Sequence, residues 1–154
     1  MATSTGDSLS RREFGKAMAV AGVGLALPSP GVFAAGSDTV RVAVVGCGER
    51  GTPDAVYCLK SAPGVELVAI ADLFQDKVDA ALTKLRAEVP GQVKVTPDRI
   101  FLGFDAYKKV LALDDVQLVM LLTPPGFRPE MVAAAVEAGK DVFVEKPVSV
   151  SVEE

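Results

Sequence analysis

"VAVVGCGERGTPDAVYCL", Val42 to Leu59, decides how the rest of the chain is read. A short β-branched run, Thr39 to Val45, leads directly into Gly46, Gly48 and Gly51, the spacing G-x-G-x-x-G. Each glycine has a separate expected task. Gly46 permits a tight turn, Gly48 lets the backbone approach a diphosphate, and Gly51 lets the next helix pack close to the strand. Pro53 suits the first turn of that helix, where a missing N–H costs nothing. A helix start offers unpaired N–H groups and a partial positive charge, a setting for an anion. Cys47 and Glu49 occupy the variable positions and read as turn filling, with Cys47 counted in the cofactor-lining loop. Three glycines alone are a weak signal; their place between a strand and a helix strengthens it.

Downstream, Asp72 closes a second apolar run, "VELVAIAD" (Val65 to Asp72), 21 residues past Gly51. An acid near that offset accepts hydrogen bonds from the ribose hydroxyls of a dinucleotide and repels a 2′-phosphate. No arginine stands at 73 or 74 to neutralise such a phosphate, so NAD is favoured over NADP. The alternative is that Asp72 caps the following helix; the two roles are compatible.

Apolar runs and helical patterns alternate from residue 39 onward. "VQLVMLL" (Val116 to Leu122) and "DVFVE" (Asp141 to Glu145) resemble the first two runs, and "QVKVT" (Gln92 to Thr96) is a weaker one. Near-continuous apolar strands point to burial on both faces, as in a parallel sheet. Between them, Val78, Ala81, Leu82, Leu85 and Val89 form one helical stripe; Met131, Val132, Ala135 and Val136 form another. Tyr107, Val110 and Leu111 mark a shorter helix. Pro129 fits a first turn and Gly139 a C-terminal cap. The expected fold is α/β, a doubly wound parallel sheet over residues 36–154.

Composition removes several functions. The 154 residues carry 16 basic and 20 acidic side chains, a net charge of −4, and most of the acidity lies beyond residue 35. An acidic domain without a basic stripe is a poor partner for nucleic acid. With no histidine and two cysteines, a histidine triad and a conventional zinc site are excluded, and no metal is expected. Cys47 and Cys58, a loop residue and a helical one, are expected to stay free thiols.

"SRREFGKAMAVAGVGLALPSPGVFAAG" (Ser10 to Gly36) reads as an address. Paired Arg11 and Arg12 precede a moderately apolar run, Ala17 to Leu27, too short for a bilayer span of about 20 residues. The pattern resembles a twin-arginine export signal over residues 1–35, with Phe14 and Lys16 at matching positions. Twin-arginine export carries folded proteins, which fits one that acquires its cofactor in the cytoplasm; the expected destination is periplasmic or extracytoplasmic.

With the glycine loop, Asp72, "LLTPP" (Leu121 to Pro125) and "AGKDVFVEKP" (Ala138 to Pro147) in order, the chain resembles the Gfo/Idh/MocA oxidoreductases. The most specific element is A-G-K-x-V-x-x-E-K-P. The resemblance implies an N-terminal Rossmann domain holding NAD or NADP and hydride transfer on a sugar, cyclitol or related polyol. It assigns Lys146 to a substrate hydroxyl, as the catalytic residue of this segment, and Glu145 to the cofactor end of the site. Thr123 and Pro124 would pass along the cofactor. There Pro125 replaces the asparagine common in relatives, and Arg128 stands in place of a histidine. Pro147 is expected to follow a trans bond by default. The family's further catalytic partners, commonly an Asp and a His, come from a C-terminal substrate domain expected to be missing from these residues. A relative that uses NAD transiently to hydrolyse a glycoside, or a nucleotide-binding module without turnover, are alternatives. A methyltransferase is more distant, and Glu145-Lys146-Pro147 speaks against it. Strand five would be an exposed edge bearing Val142 and Val144, a template for association, so a homo-oligomer is among the expected states.

Overall fold

A computed structural model describes residues 39–151. The twin-arginine segment assigned to residues 1–35 lies outside the described residues. Nine elements follow in order: β1 (Val40–Val45), α1 (Gly51–Ser61), β2 (Val65–Asp72), α2 (Gln75–Glu88), β3 (Ile100–Leu102), α3 (Ala106–Leu111), β4 (Leu118–Leu121), α4 (Arg128–Glu137) and β5 (Asp141–Val144). Short 3-10 turns at Pro97–Arg99 and Pro125–Phe127 precede β3 and α4. The five strands form one parallel sheet in the order β3-β2-β1-β4-β5. The chain winds outward from β1 to β3, then returns to place β4 on the other side of β1. That reversal opens a crevice at the carboxyl ends of β1 and β4, where ligands of such sheets bind.

Strand periodicity divides the core between two faces. Val42 and Val44 of β1 pack with Leu59 of α1 and Val78, Leu82 and Leu85 of α2. Ala43 and Val45 pack on the opposite side with Tyr107 and Val110 of α3 and Ala135 of α4. Successive side chains point to opposite faces, so a strand covered by helices on both sides must be apolar throughout. β1 is apolar from Val42 onward for this reason. The β1–β2 register steps between Val42 and Ala43, whose partners are Leu67 and Ala69.

Three expectations change here. Gln92 to Thr96 is not a strand: it makes a single bridge, Val93 opposite Leu67, with Leu67 N–H donating to Gln92 O (2.9 Å) and Lys94 N–H to Leu67 O (2.8 Å). The Gln92 side chain bonds elsewhere, its amide donating to the carbonyls of Leu59, Ala62 and Val65. Ile100–Leu102 takes the edge position instead, paired with Ile70–Asp72. Val136 is 64 % exposed: Ala135 lies in the buried stripe, and a residue about 100° further round falls off it. On the edge strand β5 it is Phe143 that is exposed, whereas Val142 and Val144 pack partly against the α3/α4 core.

Gly139, at φ +67°, ends α4 as expected. Its N–H donates to Val136 O (3.0 Å) and that of Lys140 to Ala135 O (3.0 Å), a Schellman closure that satisfies the last carbonyls.

Candidate dinucleotide-binding site

The loop between β1 and α1 is built by its glycines. Gly46 has φ +99°, and a Cβ there would lie 2.8 Å from Leu122 C and 2.9 Å from Thr123 N. A Cβ on Gly51 would sit 1.9 Å from Gly46 O. Both glycines are required by close backbone approach. Gly48 is different: a Cβ there would meet nothing within 4 Å. It borders open space at the start of α1, where the N–H groups of Glu49, Arg50 and Gly51 have no acceptor among the described residues. That is the cradle a diphosphate needs, and a side chain at 48 would enter it.

Asp72 holds the other side. Its Oδ2 accepts from Cys47 N–H at 2.6 Å and its Oδ1 from Phe74 N–H at 3.0 Å. The carboxylate therefore pins the glycine loop and turns the chain into α2. It does not cap α2, whose N-terminus has no side-chain cap. A carboxylate has about four acceptor positions, so two remain for ribose hydroxyls. The residues present fit NAD.

These groups line one cavity of about 460 Å³ that contains Gly46, Gly48, Gly51, Asp72, Thr123 and Pro124. Tyr107 on α3 and Phe104 and Phe127 near its mouth complete an apolar wall. Tyr107 donates its hydroxyl to Glu130 Oε1 at 2.7 Å, and its pKa is raised by burial first and by that hydrogen bond second. The Cys47 thiol points away from the cavity, toward Ala71 O, and burial followed by the Asp72 charge raises its pKa strongly. It contributes backbone, not chemistry. Both cysteines are free.

Glu145 borders a neighbouring hollow of about 300 Å³ with Arg50, and Arg50 lines both spaces. Arg50 Nη2 donates to Glu145 Oε1 at 3.1 Å, tying the glycine loop to the end of β5. Arg50 Nε also pairs with Asp54 Oδ2, a buried oxygen, at 3.1 Å. Lys146 is exposed and pairs with nothing among the described residues. The Lys146–Pro147 bond is cis, correcting the trans default.

Six of the nine residues expected around the cofactor thus line the cavity; Cys47 and Glu145 line neighbouring hollows, and Lys146 is not part of the lining. Sequence reading passed over Arg50, which adjoins Gly51, and marked Arg128 only as a replacement. Arg128 is buried and lines the cavity. Neither arginine falls on a periodic pattern, so only its place beside a motif could have marked it.

Comparison with known proteins bears on the family and the fold. Residues 40–154 match the Gfo/Idh/MocA family, described as an oxidoreductase family with an NAD-binding Rossmann fold. A glycosyl hydrolase family 109 protein of Shewanella sp. strain W3-18-1 is 36 % identical over 126 residues. An alpha-N-acetylgalactosaminidase of Shewanella oneidensis is 34 % identical over the same length. Each alignment covers 80 % of this chain, which spans about a quarter (26 %) of the length of those relatives. Among solved structures, an NAD-binding protein from Listeria innocua superposes with TM-score 0.57 at 29 % identity, over 75 % of this chain and 29 % of that one. A scyllo-inositol dehydrogenase from Lactobacillus casei, with NAD(H) and scyllo-inositol bound, shares the fold at TM-score 0.60 and 24 % identity, over 75 % and 30 %.

Proposed function

Because the chain belongs to the Gfo/Idh/MocA oxidoreductase family, we propose that it is the NAD-binding part of an enzyme that moves hydride to or from a carbon of a sugar, cyclitol or related polyol. The observation that carries this reading is the open space at Gly48, framed by free amides of Glu49, Arg50 and Gly51 and facing Asp72. Those amides would hold the diphosphate, and Asp72 the ribose hydroxyls. Bound there, NAD supplies the hydride acceptor in its oxidised form and the donor in its reduced form. Thr123 and Pro124 would flank the cofactor from the β4 side. Asp72 also selects: a 2′-phosphate would stand against its carboxylate, so NADP is expected to bind at least about tenfold more weakly than NAD.

Lys146 is the group assigned to the substrate oxygen. Its ammonium is exposed and uncommitted, so it can donate a hydrogen bond to a hydroxyl or exchange a proton with it. Glu145, the residue before Lys146, is itself held by Arg50.

A second reading, NAD-assisted cleavage of a glycoside, is supported by the two Shewanella relatives named for glycoside hydrolysis. Both readings begin with hydride removal from a sugar carbon and differ in whether the hydride returns. Incubation with NAD and either polyols or aryl glycosides separates them. Accumulating NADH absorbance supports the oxidoreductase; aryl alcohol release without net NADH supports the hydrolase. Failure of folded protein to bind NAD at millimolar concentration would overturn both.

A further inference from the structure

Arg128 opens α4 with its side chain buried, 5 % exposed. Its Nε donates to Thr123 O at 2.7 Å. Its Nη1 donates to Glu145 O at 2.7 Å and to Pro147 O at 2.5 Å. No carboxylate pairs with it among the described residues; all three partners are backbone carbonyls. A buried guanidinium is costly unless hydrogen bonds compensate for lost water, so a cation kept here for carbonyls alone points to a structural task at those carbonyls.

Their location defines the task. Glu145 N–H donates to Leu121 O at 3.3 Å, the last hydrogen bond that ties this segment to β4. Beyond it the chain leaves the sheet, and the next residue is Lys146, which no side chain holds. Arg128 grips the carbonyls on either side of Lys146, at 145 and 147, and joins them to Thr123 at the end of β4. One side chain thus binds the two loops at the crevice into a unit.

We propose that Arg128 is a positioning residue: by clamping the Glu145–Pro147 backbone to Thr123 it fixes where Lys146 stands beside the cavity. The clamp is a statement about this chain alone; its consequence for Lys146 rests on the dinucleotide reading above.

The test uses the full chain carrying Arg128→Lys or Arg128→Gln, with folding checked by circular dichroism. Without ligand, exchange of the Glu145 amide, which is tied to Leu121 O, is expected to quicken about tenfold in both variants, while residues 42–60 exchange as in the parent. Acylation of Lys146, read by mass spectrometry, is the second arm. At NAD concentrations that saturate each protein, NAD is expected to shield Lys146 in the parent, and that shielding is expected to fall at least about fivefold in the variants. Unchanged exchange of the Glu145 amide, or exchange raised uniformly over the domain, would overturn the clamp. Equal shielding of Lys146 in parent and variants would overturn its positioning role. Absence of NAD binding in the parent would overturn the dinucleotide reading instead, leaving the ligand-free exchange to decide the clamp.

Discussion

Replacing Gly51 by alanine puts a Cβ 1.9 Å from Gly46 O and 2.9 Å from Gly46 C. A carbon–oxygen contact needs about 3.3 Å, so the first turn of α1 and the loop must separate by roughly 1.4 Å. Neither yields easily. Gly46 is held at φ +99° and its N–H donates to Ala71 O at 2.8 Å, while Ala55 and Leu59 of α1 are buried in the core. Overpacking of this kind costs about 1–3 kcal/mol, and because the obstacle is backbone the upper figure, about 3 kcal/mol, is expected. For a domain of this size that lowers Tm by about 10 °C. Gly48→Ala is the internal control: with nothing within 4 Å of the new Cβ and no positive φ, its stability should stay within about 0.5 kcal/mol of the parent. Urea denaturation followed by circular dichroism measures both. If Gly51→Ala matched the parent, or if Gly48→Ala lost as much as Gly51→Ala, the assignment of one glycine to packing and the other to ligand would be wrong.

Other predictions follow from side chains that bridge segments. Gln92→Ala strands the carbonyls of Leu59 and Val65, while Ala62 O keeps the Val65 N–H, and should cost about 1–3 kcal/mol in the same denaturation assay; a neutral result would mean water replaces the amide freely. Asp72→Asn can accept only one of the two N–H bonds from Cys47 and Phe74, so it should destabilise by about 1–3 kcal/mol and weaken NAD more than NADP, as titration of both cofactors would show. Tyr107 ionises above the ordinary 10.0 because it is buried and bonded to Glu130. The unfolded chain releases this proton first as pH rises, so stability is intact below pH 10 and falls above it. Tyrosinate absorbance of a Tyr57→Phe variant isolates Tyr107, and ionisation in the ordinary range would contradict its burial.

Much of the fold was legible because its signals are local. The glycine spacing fixed the β1–α1 turn, and the stripe from Val78 to Leu85 fixed α2, since period and turn chemistry depend on near neighbours. The third strand was misread because Ile100–Leu102 is only three residues long and owes its place to pairing with Ile70–Asp72, while Val93 and Val95 show the alternation of a strand without a ladder to join. The same limit applies at the site. Asp72 was found by its distance from Gly51, but its grip on Cys47 N–H needed the folded loop. Arg50 with Glu145, and Arg128 with Glu145 and Pro147, join residues far apart in the chain; no spacing rule announces such contacts. Exposure of Phe143 likewise depends on where the sheet ends rather than on apolar pattern.

Isothermal titration of the folded chain with NAD, beside the same titration of Gly48→Asp, bears most directly on the claim that a diphosphate lies over the start of α1. One-to-one binding with Kd below about 1 mM, abolished by a carboxylate placed in the open space at Gly48, is the predicted result. No heat of binding from the parent at millimolar NAD, or equal affinity in the folded variant, would contradict it.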